Sequence, residues 1–189
     1  MASNFEFLEK NFPVLADYGR KAENYLYSDS NSCLMKLGMI GETIVNLIFK
    51  YDRVPIPYDN TAVIRIDTLY REGLIDTEIQ DILHSLRKAR NKAVHENYSS
   101  VEDGKSLLQM AFSLCVWFYQ VYGDYNYQPA DFVMPLKEEI PTPVISEPQK
   151  RQEEDHELKL MQLAEEAASA APSVDRKERK KRAAYAANQ

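Results

Sequence analysis

From Phe5 to Tyr122 the apolar side chains recur every three or four residues, and strand-like alternation is confined to Ala62–Ile66, so the pattern predicts helices almost throughout. A first helical region covers roughly Phe5 to Tyr27, interrupted at Pro13, and a second runs from about Ser32 to Tyr51, with Ser30 or Asn31 as its N-cap. Asp52 to Asp59 holds Pro55 and Pro57 and reads as a turn. A short helix near Ile64–Arg71 ends at Gly73, a left-handed C-cap, and Asp76 or Thr77 opens a helix that reaches about His95. Ser99 with Glu102 and Ser100 with Asp103 offer capping-box spacings for the last long helix, which runs to Tyr122 with Gly123 after it. The expected domain is all-α, a bundle of four main helices and a short one. The most apolar run, Leu107–Val121, is broken by Gln109, Ser113 and Gln120 and falls short of the roughly 20 apolar residues that span a bilayer. It is expected to be a buried helix, with no membrane contact.

After Asp131 the composition changes. Pro135, Pro141, Pro143 and Pro148 fall in a stretch that neither a helix nor a central strand tolerates. Residues 150–189 are dominated by Glu, Lys, Arg, Ala and Gln, with a short apolar stripe at Leu158, Leu160, Met161 and Leu163. The chain thus divides into a helical domain (1–131), a Pro-rich linker (132–149) and a charged helical or disordered tail (150–189).

Charge sharpens this division. Residues 1–139 carry 14 basic and 20 acidic side chains and residues 140–189 nine of each, so the whole net charge of -6 lies in the first part, while the tail holds a basic cluster at Arg176–Arg182. The six glycines form neither a G-x-x-x-x-G-K-[ST] loop nor a G-x-G-x-x-G turn, so the common cradles for ATP and dinucleotides are missing and no cofactor is expected. Cys33 and Cys115 are too few for a disulfide framework and lack metal-ligand spacing; they are expected to be reduced core residues, with no metal bound. Met1–Lys10 lacks the basic start and apolar stretch of an export signal, so the expected location is cytoplasmic.

Candidate chemistry concentrates on the third long helix. At 100° per residue, Ile79, Ile82, Leu83, Leu86, Ala93 and Val94 form one broad apolar face and Arg90 falls inside it. His84, Arg87, Lys88, Asn91 and His95 cluster opposite, a basic polar ridge. An arginine in an apolar stripe needs an anion beside it. Either Glu42 of the second helix supplies an internal ion pair, or Arg90 meets a substrate phosphate in a cleft between two subunits. His95, near a helix C-terminus, equally suits a structural cap. Arg87, Lys88, Arg90 and Lys92 place four positive charges within six residues, a phosphate-attracting patch that also fits a solvated helix face. Tyr119, Tyr122, Tyr125 and Tyr127 follow an apolar helix and are expected in the core or an interface.

The hexapeptide Arg90–His95 resembles the Arg-polar-x-x-x-His motif of the HEPN superfamily, and it stands at the end of one long helix and before another, as in that superfamily. A longer resemblance covers most of residues 4–127. The segments Asn4–Leu8, Pro13–Leu15, Ala22–Glu23, Glu42–Val45, Pro57–Tyr58, Asn91–His95 and Trp117–Tyr122 are similar to the domain of unknown function at the N-terminus of type I restriction R subunits and related DEAD/DEAH-type helicases. The resemblance implies a HEPN-like bundle serving dimerisation, nucleic-acid docking or partner docking in a restriction or defence protein, whose nuclease and motor modules are not in this sequence. In that family's pattern a glycine often precedes the asparagine, with an arginine three residues before it; here Arg90 stands in place of the glycine and Arg87 matches the upstream arginine. Tyr98 is one residue out of register with the tyrosine that often follows the histidine in HEPN proteins.

The alternative implied by the motif is a metal-independent endoribonuclease, with Arg90, Asn91 and His95 in catalysis and Arg87, Lys88 and Lys92 binding nucleic acid. An RNA 2′-hydroxyl would attack the adjacent phosphate, leaving a cyclic phosphate and a 5′-hydroxyl. His95 would act as acid or base, Arg90 or Arg87 would stabilise the extra negative charge, and Asn91 would orient the imidazole or hold a phosphate oxygen. One imidazole cannot serve both sides of the phosphorus, so a homodimer is expected, with RNA or DNA and other restriction or defence subunits as partners. Glu157–Lys159 has the spacing of a PD-(D/E)xK nuclease ending but no strands to hold it.

Overall fold

The structure, a computed structural model, describes residues 3–137, 159, 162 and 176–186. A 3-10 turn at Glu6–Leu8 leads into α1 (Pro13–Tyr25), α2 (Ser30–Tyr51), α3 (Ala62–Arg71), α4 (Thr77–Glu96), α5 (Val101–Tyr122) and α6 (Arg176–Ala186). Among the described residues there is no strand, and the expected all-α bundle is what forms. Ala62–Ile66, the one alternating stretch, is the first turn of α3. Its N-cap Thr61 accepts from the Ile64 amide, and Ile66 and Leu69 supply the buried side of the helix.

Local cues set most boundaries. Asp76 caps α4 through the Ile79 amide (2.9 Å), Ser100 caps α5 through the Asp103 amide (3.1 Å), and Gly73 ends α3 at φ 63°. Two expectations shift. Pro13 is the first residue of α1, where its fixed φ and missing N–H cost nothing. The N-cap of α2 is Asp29, whose carboxylate accepts from the Ser32 amide; Ser30 and Asn31 lie inside the helix.

Helix α2 is the centre of the bundle, packed against α1, α4 and α5. It is long and apolar enough to cross a membrane by length and composition. Its Cys33, Leu34, Leu37, Ile40, Ile44 and Ile48 are fully buried in the bundle, each large aliphatic among them worth roughly 1.5–3 kcal/mol. The α2–α4 contact runs over Gly38 and Gly41, which face Arg90 and the Leu83/Leu86 pair. α5 is buried along Leu108, Ala111, Phe112, Leu114, Cys115, Trp117, Phe118 and Val121, and both cysteines are free and buried. Of the late tyrosines, Tyr127 stacks on Phe7, Tyr119 meets Phe7 and Phe12 edge-on and Tyr122 stacks on Phe118. Tyr125, beyond the end of α5, is instead 39% exposed and has the Arg182 guanidinium 5.5 Å from its ring centre.

The segment after α5 folds back. Val133 exchanges two 2.8 Å hydrogen bonds with the Asn4 side chain, Tyr27 donates to the Pro135 carbonyl at 2.9 Å, and Phe132 packs on Phe112. In the tail, α6 packs on α5 and buries Arg179 and Ala183. The Arg179 guanidinium stands over the Tyr51 and Tyr122 rings, 3.6 Å from the buried Asp52 carboxylate, which also accepts from Tyr122 Oη at 2.7 Å. The apolar stripe at Leu158, Leu160, Met161 and Leu163, and all of Glu157–Lys159 except Lys159, lie outside the described residues.

Candidate nucleic-acid interface on helix α4

The end of α4 is held from three directions. Asn97 adopts the left-handed conformation (φ 50°, ψ 33°), which asparagine tolerates better than most residues, and its amide and that of Tyr98 return to the Lys92 carbonyl. The Asn31 side-chain amide donates to the Ala93 carbonyl (2.9 Å) and the Tyr98 carbonyl (2.8 Å). The Tyr98 hydroxyl donates to Asp103 of α5 at 2.8 Å, and Lys92 Nζ lies 5.5 Å from the Tyr98 ring centre.

On this fixed end, Lys88, Asn91, Lys92 and His95 are exposed. Lys88 and Asn91 fall within about 40° of His95 around the helix axis, so the three form one row. Among the described residues the His95 imidazole has no hydrogen-bonding or ionic partner. Val94, placed on the apolar face by its spacing, is 49% exposed instead, because α3 lies beside the Gln80–His84 part of α4 and leaves the last turn uncovered. Ile79, Ile82, Leu83, Leu86 and Ala93 are buried as that face requires.

Arg90 points elsewhere. Its aliphatic stem lies on Gly38, and its guanidinium reaches Glu42 one turn further along α2 at 3.1 Å, with 39% of the side chain exposed. The internal ion pair is therefore formed, and the stem is buried while the charged head stays partly hydrated. Five residues along a helix put Arg90 and His95 about 140° apart, so a single protomer does not bring them together; Arg87 is about 80° from His95. Arg87 is half-buried, and its Nε–H has no acceptor among the described residues. His84 sits 3.2 Å from Asp67 of α3, which also accepts from Gln80 at 2.9 Å.

Sequence reasoning missed two contributors. Asn31 belongs to the α4 terminus through a tertiary contact that no local pattern encodes. Arg65 of α3 lies 4.7 Å from the Phe49 ring centre and near Glu42; desolvation lowers its pKa and the Glu42 carboxylate partly offsets the fall. The glycine pair at 38 and 41 was the available sign that α2 receives bulky α4 side chains at close range. Among the described residues no three His, Cys, Asp or Glu side chains converge as a metal site would need. An open groove at the other end of α4, lined by Thr77, Glu78, Asp81, Ile82, Ser85 and Met110, is acidic and separate from the ridge.

No solved structure matches the chain. The type I restriction enzyme EcoKI endonuclease subunit of Escherichia coli (strain K12) is 32% identical over 138 residues, which is 72% of this chain and 12% of that protein. The chain thus spans about an eighth of the length of that relative. Residues 20–163, well over half of the chain, match the family described as domain of unknown function DUF4145, and the chain belongs to that family.

Proposed function

We propose that this chain is a HEPN-like module of a restriction-related protein, a non-catalytic unit that docks nucleic acid along the last turns of α4. The observation that carries this reading is the division of labour on that helix. Lys88, Asn91, Lys92 and His95 stand exposed on a braced helix end, while Arg90, the guanidinium that catalysis would need beside His95, is engaged with Glu42 and Gly38 on another side. Two lysines flanking a neutral amide on one exposed helix end suit contact with phosphates without base recognition. The similarity to the endonuclease subunit of a type I restriction enzyme supplies the restriction setting.

The test is anisotropy of the full chain with labelled single-stranded RNA and duplex DNA in EDTA over a range of salt. Replacing Lys88 and Lys92 together by glutamine should weaken binding and reduce the single-strand salt slope by about 1.4, from about 0.7 per phosphate. Binding that ignores both changes overturns the docking surface.

The ribonuclease reading stands second, favoured by the open position of His95. A twofold dimer would have to set the His95 of one copy beside Arg90 of the other. It predicts RNA cleavage without divalent metal, abolished in His95→Ala, whereas the docking reading predicts no cleavage by either protein.

A further inference from the structure

A different side of α4 collects arginines. Arg90 reaches Glu42 of α2. Arg87 stands three residues before it, which brings their Cβ atoms to about 5–6 Å. Arg87 is also seven residues after Gln80, only about 20° around the axis, and Gln80 and His84 both bond Asp67 of α3. It therefore lies in the seam where α2, α3 and α4 meet. Arg65 enters the same seam from α3, over Phe49, and Phe49 is two turns beyond Glu42 on the same face of α2.

Arg90 pairs with Glu42, Arg65 lies near the same carboxylate and Arg87 stands one turn before Arg90. Three guanidiniums thus share the seam with two carboxylates, Glu42 and Asp67, a local charge of +1 in a chain whose net charge is -6. Glu42 forms its ion pair with Arg90, while the Nε–H groups of Arg65 and Arg87 are buried with no acceptor among the described residues. Each such donor costs about 1–3 kcal/mol, and an anion with several acceptor oxygens would satisfy both. A phosphoryl group fits, because its oxygens accept in pairs from the planar guanidinium fork. Arg65 and Arg87 are each only partly buried as whole side chains.

We infer that the seam between α2, α3 and α4 is a phosphate-binding site in which Arg65 and Arg87 hold the phosphoryl oxygens and Glu42 competes with the ligand for Arg90. The site is independent of the Lys88–His95 ridge and stands if the ridge binds nothing.

Titration of the ¹⁵N-labelled full chain with inorganic phosphate, followed through the arginine Nε–Hε resonances, is the direct test. The Arg65 and Arg87 resonances should move together. Glu42→Gln, which removes the competing carboxylate, should tighten binding about tenfold, and Arg65→Gln or Arg87→Gln should weaken it about tenfold or more. Should either glutamine variant unfold, Arg87→Lys serves: it keeps the charge but loses the fork, so a folded variant with several-fold weaker binding supports the site. Lys88→Gln with Lys92→Gln should leave phosphate binding unchanged, which separates this site from the ridge. A short oligoribonucleotide forms the second arm. Displacement of phosphate from the same resonances identifies a nucleic-acid backbone as the source, and lack of displacement identifies free phosphate. Immobile Arg65 and Arg87 resonances in both the wild type and Glu42→Gln, or phosphate affinity indifferent to the arginine substitutions, overturns the proposal.

Discussion

The Cβ, Cγ and Cδ atoms of Arg90 lie directly on the backbone of Gly38, so close that a methyl group added at residue 38 would stand 2.3 Å from Arg90 Cβ. The atom it meets is next to the α4 backbone and cannot swing aside. Gly38→Ala should therefore force α2 and α4 apart and destabilise by about 1–3 kcal/mol, more than the roughly 1 kcal/mol that alanine adds through helix propensity. A methyl group at Gly41 meets the ends of Leu86 and Leu83 at 3.4 and 3.5 Å and Leu86 Cβ at 3.6 Å, ordinary van der Waals contacts, so Gly41→Ala should be neutral or stabilising by up to about 1 kcal/mol. Urea denaturation of both variants checks the contrast, and equal stabilities would mean that the helices do not touch at Gly38.

Asn31→Ala removes both donors that tie the α4 terminus to α2. We expect a loss of about 1–2 kcal/mol and faster amide exchange from Val94 to Tyr98, while exchange near Thr77 is unchanged. Uniform exchange along α4 would show that Asn31 does not brace the end carrying His95.

Arg179→Ala leaves the buried Asp52 carboxylate without its guanidinium, a loss of about 3 kcal/mol in α6 docking. Trypsin should then cleave within Arg176–Arg182 far faster than in the wild type, with sites read by mass spectrometry. Arg179→Met combined with Asp52→Asn removes both charges and should recover much of the protection. Wild-type tryptic rates equal to those of Arg179→Ala would contradict the docking of α6.

Burial pushes the Cys33 thiol from its ordinary value of 9.0 up to about 12, and the Cys115 thiol rises for the same reason. Above pH 9 an unfolded thiol loses its proton while the folded one keeps it, so the unfolded state gains and stability falls with rising pH. The stabilising effect is complete below about pH 9 and is lost up to about 12, with a slope near 1.4 kcal/mol per pH unit for each thiol. Burial also raises the hydroxyls of Tyr51 and Tyr127, which both proteins share, so the difference between wild type and a Cys33→Ala, Cys115→Ala variant isolates the thiols. Parallel stability curves from pH 8 to 10.5 would refute this.

What the sequence disclosed was chiefly local. Asp76, Ser100 and Gly73 act within a few residues of themselves, so their roles as helix signals were legible, and the burial cost of an arginine on an apolar face was enough to nominate Glu42 for Arg90. What escaped depends on contacts between distant segments. Asn31 was readable as a cap but its amide serves α4; Val94 has the spacing of a core residue but no helix beside it; Arg179 sits in a stretch whose composition suggests solvation, yet Tyr51, Asp52 and Tyr122 together form a place for it. The direction of Arg90 and His95, set by helix rotation, was computable from spacing alone, whereas the gathering of Arg65 with Arg87 required the path of α3.

The paired bonds between Asn4 and Val133, with Tyr27 on Pro135, have a mechanical consequence. The backbone at residue 4 and the backbone at residues 133–135 are thereby clasped side by side on the bundle. A pull between those two points loads this handful of hydrogen bonds before it reaches the helix contacts.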